Sequence, residues 1–367
     1  MGVHGGTQAA AGVRDSGHLL FFVVRIPMDD EAVAVVPTLS SIKPNYTKRV
    51  LRGDDTRAFD GCLGAGLSQD EYSFTESLEG MLEDINSLRT GDVGYIDGIL
   101  SEEECQSLCD CVDGSPDLSF WSSAGRGDVD ARLFRDADTI EMVSEGIAAK
   151  LWARVGEVLR HKEVLIGETE HGDSGLSDRR FQRGLQGTWI ADGINSNLLL
   201  AKYPSNGAFS PHTDGSAVES FNRRSFYSII IFLNSIPEEE GGGTRFYRDD
   251  VLSQLECGGV GSSGWTGAST HLLGTVEAKE GRLLVFDQSI VHEGVAPHAP
   301  YCKYIMRTDI MFSRQHAVCD SCKDREAYAL FMQAEHLAEA GDTDGSIRLF
   351  QHALRLSRPL GQMLGHA

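Results

Sequence analysis

The chain has 367 residues, 41% of them hydrophobic, and its 54 acidic against 33 basic residues give a formal net charge of −21. It is long enough to bury a full core, either as two or three units or as one catalytic domain with extensions. So acidic a balance repels phosphate backbones and anionic membrane surfaces, so the expectation is no nucleic-acid partner and no membrane partner.

The longest early apolar run, Leu19 to Val24, is far short of the roughly 20 residues that span a bilayer. No signal-peptide cleavage pattern follows it, and eight cysteines in a chain this long do not make the dense framework of a small secreted domain. A cytoplasmic, reducing setting is the expectation. Residues 1–92 mix Gly, Ala, Ser, Asp and Thr without a sustained period and read as a poorly ordered or loosely docked extension.

A domain over 93–316 opens with "VGYIDGILSEEECQSLCDCVDG", in which Ser101 and Glu104 form a capping box. Cys105, Leu108, Cys109 and Val112 make the apolar stripe of the helix that follows. The recurrence of Ile140, Val143, Ile147, Leu151 and Val155 predicts a second helix over "TIEMVSEGIAAKLWARVGEVL". Six β-rich runs come next without intervening helices: "NSNLLLAKYP", "RRSFYSIIIFLNS", "GGGTRFY", "HLLGTVEA", "GRLLVFDQ" and "KYIMRTDIMF". They argue for an antiparallel sandwich or barrel, with Ile229 to Leu233 in a central strand. The stretch "RDDVLSQLECGGVGSSGWTGAST" reads as a loop over the mouth of a site.

Residues 317–367 return to helical spacing, with Leu330, Ala334 and Leu337 before the turn "AGDTDG" and Ile347, Phe350 and Ala353 after it. This hairpin resembles a single tetratricopeptide unit, which would make it a surface for a protein partner; the plainer reading packs it on the preceding domain. Cys319 and Cys322 form a CxxC with no second pair at zinc spacing.

The chemistry gathers around "YPSNGAFSPHTDG". His212 and Asp214, two apart on an extended segment, point the same way, and His292 follows at the end of the apolar strand "GRLLVFDQSIVH". Two neutral imidazoles and one carboxylate with open positions suit non-haem Fe(II). A dicarboxylate cosubstrate then needs a buried cation, and the last strand offers Lys303 and Arg307, four apart on one face. They stand about 13 Å apart along it, too far to grip one carboxylate together. One is the anchor, and the other pairs with Asp309, an acidic substrate or another acidic side chain.

From about Gly94 to Phe312 these ordered pieces resemble the Fe(II)- and 2-oxoglutarate-dependent dioxygenases of prolyl 4-hydroxylase type. The resemblance implies a mainly β fold with flanking helices, a double-stranded β-helix (jelly-roll, cupin-like) barrel, with the C-terminal hairpin appended. It implies His212, Asp214 and His292 as catalytic iron ligands, with Fe(II), 2-oxoglutarate and O2 as cofactor and cosubstrates, and it admits ascorbate. The family places a basic anchor nine or ten positions past the second histidine; Lys303 lies eleven past His292 and is favoured, with Arg307 the runner-up. Tyr203 matches a tyrosine that faces the cosubstrate, while Phe232 stands where some prolyl hydroxylases carry another. The implied reaction is hydroxylation of a C–H bond in a peptide side chain, prolyl favoured, or a small molecule, with release of succinate and CO2. The alternatives are a catalytically idle barrel acting as an interaction scaffold through the C-terminal hairpin, or a small-molecule or free amino acid hydroxylase.

Overall fold

The computed structural model describes residues 13–14, 20–21, 49–64, 73–75, 93–120, 129–160, 162–166, 183–248, 255–257, 265–267 and 269–365. Two facing sheets dominate. The larger runs Val50–Arg52, Asp138–Val143, Asn197–Tyr203, Lys303–Arg314, Arg223–Phe232, Leu283–Asp287, Val93–Asp97 and Ser73–Thr75 in hydrogen-bonded order. The smaller runs Phe209–His212, Val291–Gly294, Thr244–Tyr247 and Leu272–Val276. Pairing within both is antiparallel, except where Val50–Arg52 joins Asp138–Val143. This is the double-stranded β-helix expected from the ordered motifs.

The strand Arg223–Phe232 lies between Lys303–Arg314 and Leu283–Asp287, and residues 225–232 are all buried. Ile229, Ile231 and Phe226 meet the core beneath the helices, while Ile230 and Phe232 join the cluster between the sheets. A strand apolar on both faces is what a central position demands.

Two helices cover the outer face of the larger sheet. Glu102–Gly114 starts at Ser101, whose Oγ accepts from the Glu104 amide at 3.2 Å while Glu104 accepts from the Ser101 amide at 3.1 Å. Cys105, Leu108 and Val112 are buried on its inner stripe. The second helix is shorter than its periodicity predicts: it spans Glu145–Leu159, and Asp138–Val143 is a strand. Ile140 and Met142 are buried against the core by alternation, and Ser144 caps the helix by accepting from the Ile147 amide. Ile140 and Val143, three apart, fit a helical face, but the strand buries Ile140 with Met142 instead.

The described part of the expected extension is not loose. Leu51, Phe59 and Leu63 belong to the main core, and Lys150 donates to the carbonyls of Asp60 and Leu63, both at 2.7 Å. The short runs and low apolar content of 49–64 conceal this docking, which comes from three side chains and a lysine on another helix. Most of the remainder of 1–92 lies outside the described residues.

At the other end, helices Cys322–Glu339, Thr343–Leu356 and Arg358–Met363 follow the last strand. Ala327 and Leu360 close a small apolar cluster with Phe221 of the barrel, to which Tyr328 adds an edge contact at 5.2 Å. The third helix was not foreseen: Pro359 sits in its first turn, where a proline starts a helix as readily as it ends one.

Candidate metal centre

The smaller sheet presents the two histidines to each other. His212 ends the strand Phe209–His212, and His292 lies directly opposite it in Val291–Gly294, with ring centroids 4.3 Å apart. His292 therefore occupies a strand of its own, separated by a turn from the apolar run Leu283–Asp287 that was expected to end in it. Each imidazole is oriented from behind. Nδ1 of His212 lies 2.7 Å from the Ser210 carbonyl, and Nδ1 of His292 lies 3.0 Å from the Ile290 carbonyl. With Nδ1–H donating to these carbonyls, both Nε2 lone pairs face forward.

Asp214 completes the set. Its Oδ1 is 3.8 Å from Nε2 of His212 and its Oδ2 is 3.8 Å from Nε2 of His292. One ligand atom from each of the three residues lies within 4.8 Å of the others. Those spacings leave room for an ion about 2 Å from each donor. Burial pushes the His212 imidazole down to about 3, helped by the neighbouring His292, and also lowers His292, so both stay neutral and able to ligate. Burial alone would raise the Asp214 carboxyl, but the Arg307 guanidinium, the two imidazoles and the Ser228 hydroxyl together hold it well below the usual carboxylate range.

The larger sheet holds that carboxylate in place. Ser228 donates to Asp214 at 2.6 Å, and Arg307 lies 3.4 Å from Asp214, 3.1 Å from Asp309 and 3.2 Å from the Ser228 hydroxyl. Asp309 in turn accepts from Asn195 and Gln288, each at 2.9 Å. Arg307 thus pairs with Asp309, one of the roles open to it from the sequence, and also grips Asp214.

Lys303 is placed differently. Only 2% exposed, it donates to the Gly243 carbonyl at 3.0 Å and lies 5.3 Å from the Tyr203 ring centroid and 5.7 Å from that of Phe232. Among the described residues no carboxylate comes within ion-pair distance of it. Burial brings its ammonium down to about 7, against some support from Glu293. The carbonyl it holds comes from a glycine turn: Gly241 and Gly242 adopt positive φ, and a Cβ on Gly243 would meet the Val276 carbonyl at 2.7 Å.

One pocket joins these groups, lined by His212, Asp214, His292, Lys303, Arg307 and Tyr203 together with Arg135, Phe209 and Thr244. Arg135 and Ser228 were missed from sequence, because neither sits in a spacing that announces a role. Much of the loop expected over the mouth lies outside the described residues. Its strand Trp265–Gly267 is tied to Glu293, which accepts from Thr266 at 2.9 Å and from the Gly267 amide at 3.2 Å. Cys322 is exposed and Cys319 half-buried, and neither belongs to a metal-capable group among the described residues.

A β-helix with a His-x-Asp pair and a distant histidine converging in its mouth defines a non-haem iron oxygenase site. Residues 198–333 match the model of the 2OG-Fe(II) oxygenase superfamily, and the chain is an Fe(II)- and 2-oxoglutarate-dependent dioxygenase. No curated protein matches the sequence. Among solved structures, the chain is similar to a viral collagen prolyl hydroxylase from Paramecium bursaria Chlorella virus-1 in complex with 2OG, at 15% identity and TM-score 0.34 over 60% of this chain and 96% of that one. It is similar to a Trichoplax adhaerens prolyl hydroxylase in complex with a peptide fragment of hypoxia inducible factor, at 15% identity and TM-score 0.39 over 65% and 90%. HygX from Streptomyces hygroscopicus, with nickel and 2-oxoglutarate bound, matches at 8% identity and TM-score 0.36 over 61% and 83%. No helix among the described residues is long and apolar enough to cross a membrane.

Proposed function

We propose that His212, Asp214 and His292 hold Fe(II), that Lys303 receives the far carboxylate of 2-oxoglutarate, and that the enzyme hydroxylates a C–H bond of a peptide side chain, prolyl favoured, or of a small molecule. The observation that carries this reading is the convergence of two neutral Nε2 atoms and one ion-paired carboxylate in the same pocket as a buried lysine. Iron, when bound, supplies the activation of dioxygen and the oxidation of the cosubstrate. One oxygen atom ends in the substrate hydroxyl and the other in succinate, with the C1 carboxylate of 2-oxoglutarate leaving as CO2.

The chain's own residues orient and exclude. The Ser210 and Ile290 carbonyls fix both imidazole tautomers, and Ser228 and Arg307 fix the carboxylate. Tyr203, 2% exposed on the strand beside Lys303, offers a hydroxyl toward the cosubstrate site, and Phe232, buried at 0%, keeps water from the lysine. Prolyl preference follows the motif resemblance alone.

Anaerobic titration of the full chain with Fe(II) and then 2-oxoglutarate tests the reading. A weak visible charge-transfer band is expected, followed on admitting oxygen by succinate. Loss of both in His212→Ala, Asp214→Ala and His292→Ala, with the fold retained, is the accompanying result. Full succinate formation by any of the three overturns the ligand assignment.

A further inference from the structure

Arg135 is the cation of the pocket that the proposed reaction leaves unused. Its backbone is fixed by an antiparallel bridge to Phe209, and the adjoining Asp136 amide donates to the Ala208 carbonyl at 2.8 Å. Its guanidinium carbon lies 4.9 Å from the centroid of the Phe209 ring, the same ring that stacks on His212 with centroids 3.6 Å apart. Guanidinium and metal-facing imidazole therefore rest against one aromatic surface.

The acids nearest Arg135 in sequence are taken by another residue. Arg132 pairs with Asp136 at 2.6 Å and with Asp138 at 3.2 Å. No carboxylate among the described residues lies within ion-pair distance of Arg135, and its Nε is buried with no hydrogen-bond partner. Of the lining residues, three are cations (Arg135, Lys303, Arg307) and one is a carboxylate (Asp214), which Arg307 already engages. If Lys303 takes the far carboxylate of 2-oxoglutarate, that of Arg135 must come from elsewhere.

We propose that Arg135 receives a carboxylate of the substrate being hydroxylated, so that this enzyme acts on a carboxylate-bearing small molecule or on the free carboxyl end of a chain. The proposal rests on the reading of the site given above. The Arg135 guanidinium, beside the Phe209 ring and the Tyr203 side chain, offers its N–H groups as a planar fork, which suits a carboxylate in two parallel hydrogen bonds. A partly desolvated cation with no counter-charge among the described residues discriminates strongly between an acid and the neutral amide of the same shape.

The test uses full-length protein loaded with Mn(II) and N-oxalylglycine, an inert 2-oxoglutarate analogue, and a panel of small carboxylic acids matched with their primary carboxamides, L-proline and L-prolinamide among them. Binding is followed by thermal shift, and each acid is then checked with Fe(II) and 2-oxoglutarate for stimulated succinate formation. At least one acid is expected to bind at least about tenfold more tightly than its amide. That preference should collapse in Arg135→Met and survive in part in Arg135→Lys.

A panel in which no acid is preferred over its amide overturns the proposal, as does a preference unchanged in Arg135→Met. A tenfold rise in the 2-oxoglutarate constant of Arg135→Met with the acid preference intact assigns the residue to the cosubstrate instead and overturns it equally. Arg135→Lys covers the case in which Arg135→Met does not fold: a preference reduced but not abolished in this charge-conserving variant supports the guanidinium fork, and an unchanged one overturns it. A wild-type protein giving no charge-transfer band with Fe(II) and 2-oxoglutarate contradicts the dioxygenase reading itself, a result separate from either outcome at Arg135.

Discussion

Lys303 and Arg307 share a strand face and a pocket, yet their surroundings divide the work between them. Arg307 is held by Asp214 and Asp309, whereas the described residues place Lys303 against a backbone carbonyl and two aromatic rings, with no carboxylate at ion-pair distance. Removing the cation opposite a buried carboxylate costs roughly 3–5 kcal/mol, about two to four decades of affinity. Lys303→Ala is therefore expected to raise the 2-oxoglutarate constant at least about a hundredfold with metal affinity little changed. Arg307→Ala should instead weaken metal retention by freeing Asp214, which a metal-release assay reads directly. Near-normal constants for 2-oxoglutarate in both variants would leave Arg135 as the remaining cation for that carboxylate. The lysine also predicts a pH dependence. Its ammonium, at 10.5 when unperturbed, falls to about 7 in the fold. Between those values the unfolded chain binds the extra proton, so the stability of the cosubstrate-free protein rises with pH across that window. Binding of the dianion has the opposite slope, since it needs the ammonium: affinity is full below about 7 and declines above it. Calorimetry in buffers of different ionisation enthalpy should show proton uptake on 2-oxoglutarate binding near pH 8, and no uptake there would place the carboxylate away from Lys303.

The strands and helices differ in how much of them the sequence announces. Arg223–Phe232 and Lys303–Arg314 are legible because long apolar runs bounded by polar turns have few other fates. The spacing of Ile140 and Val143, three apart, favours a helix over Asp138–Val143, whereas the buried pair there is Ile140 and Met142, two apart, in a strand fixed by pairing with Asn197–Tyr203. The His212, Asp214 and His292 cluster was legible from His-x-Asp and a strand-borne histidine. Arg135 was not, since its place depends on a bridge to Phe209, 74 positions away, that no local pattern encodes. The C-terminal helices supply the prediction at this scale. Deleting residues 317–367 bares Phe221, now 8% exposed, and removes its contacts with Ala327, Tyr328 and Leu360. Uncovering one large apolar side chain costs about 1.5–3 kcal/mol, a lower melting temperature, while iron-dependent decarboxylation of 2-oxoglutarate remains measurable. A truncated protein that stays folded but no longer binds iron would move the edge of the catalytic unit into these helices.

Across the whole molecule, the candidate centre draws its parts from both sheets: the imidazoles from the smaller one, and from the larger the arginine and serine that hold Asp214. An ion bound there is a rivet through the sandwich, closing a mechanical loop from one sheet to the other. Riveting should register as thermodynamic linkage: a metal bound only by the folded state, at a free concentration a hundredfold above its dissociation constant, adds about 2.7 kcal/mol of stability. Mn(II), which needs no protection from oxygen, should raise the melting temperature of the wild type by several degrees and leave Asp214→Ala almost unmoved. Hydrogen exchange should slow on loading in Phe209–His212 and Arg223–Phe232 together, although they belong to different sheets. Protection confined to one of them would mean the two layers are fastened by their shared core alone.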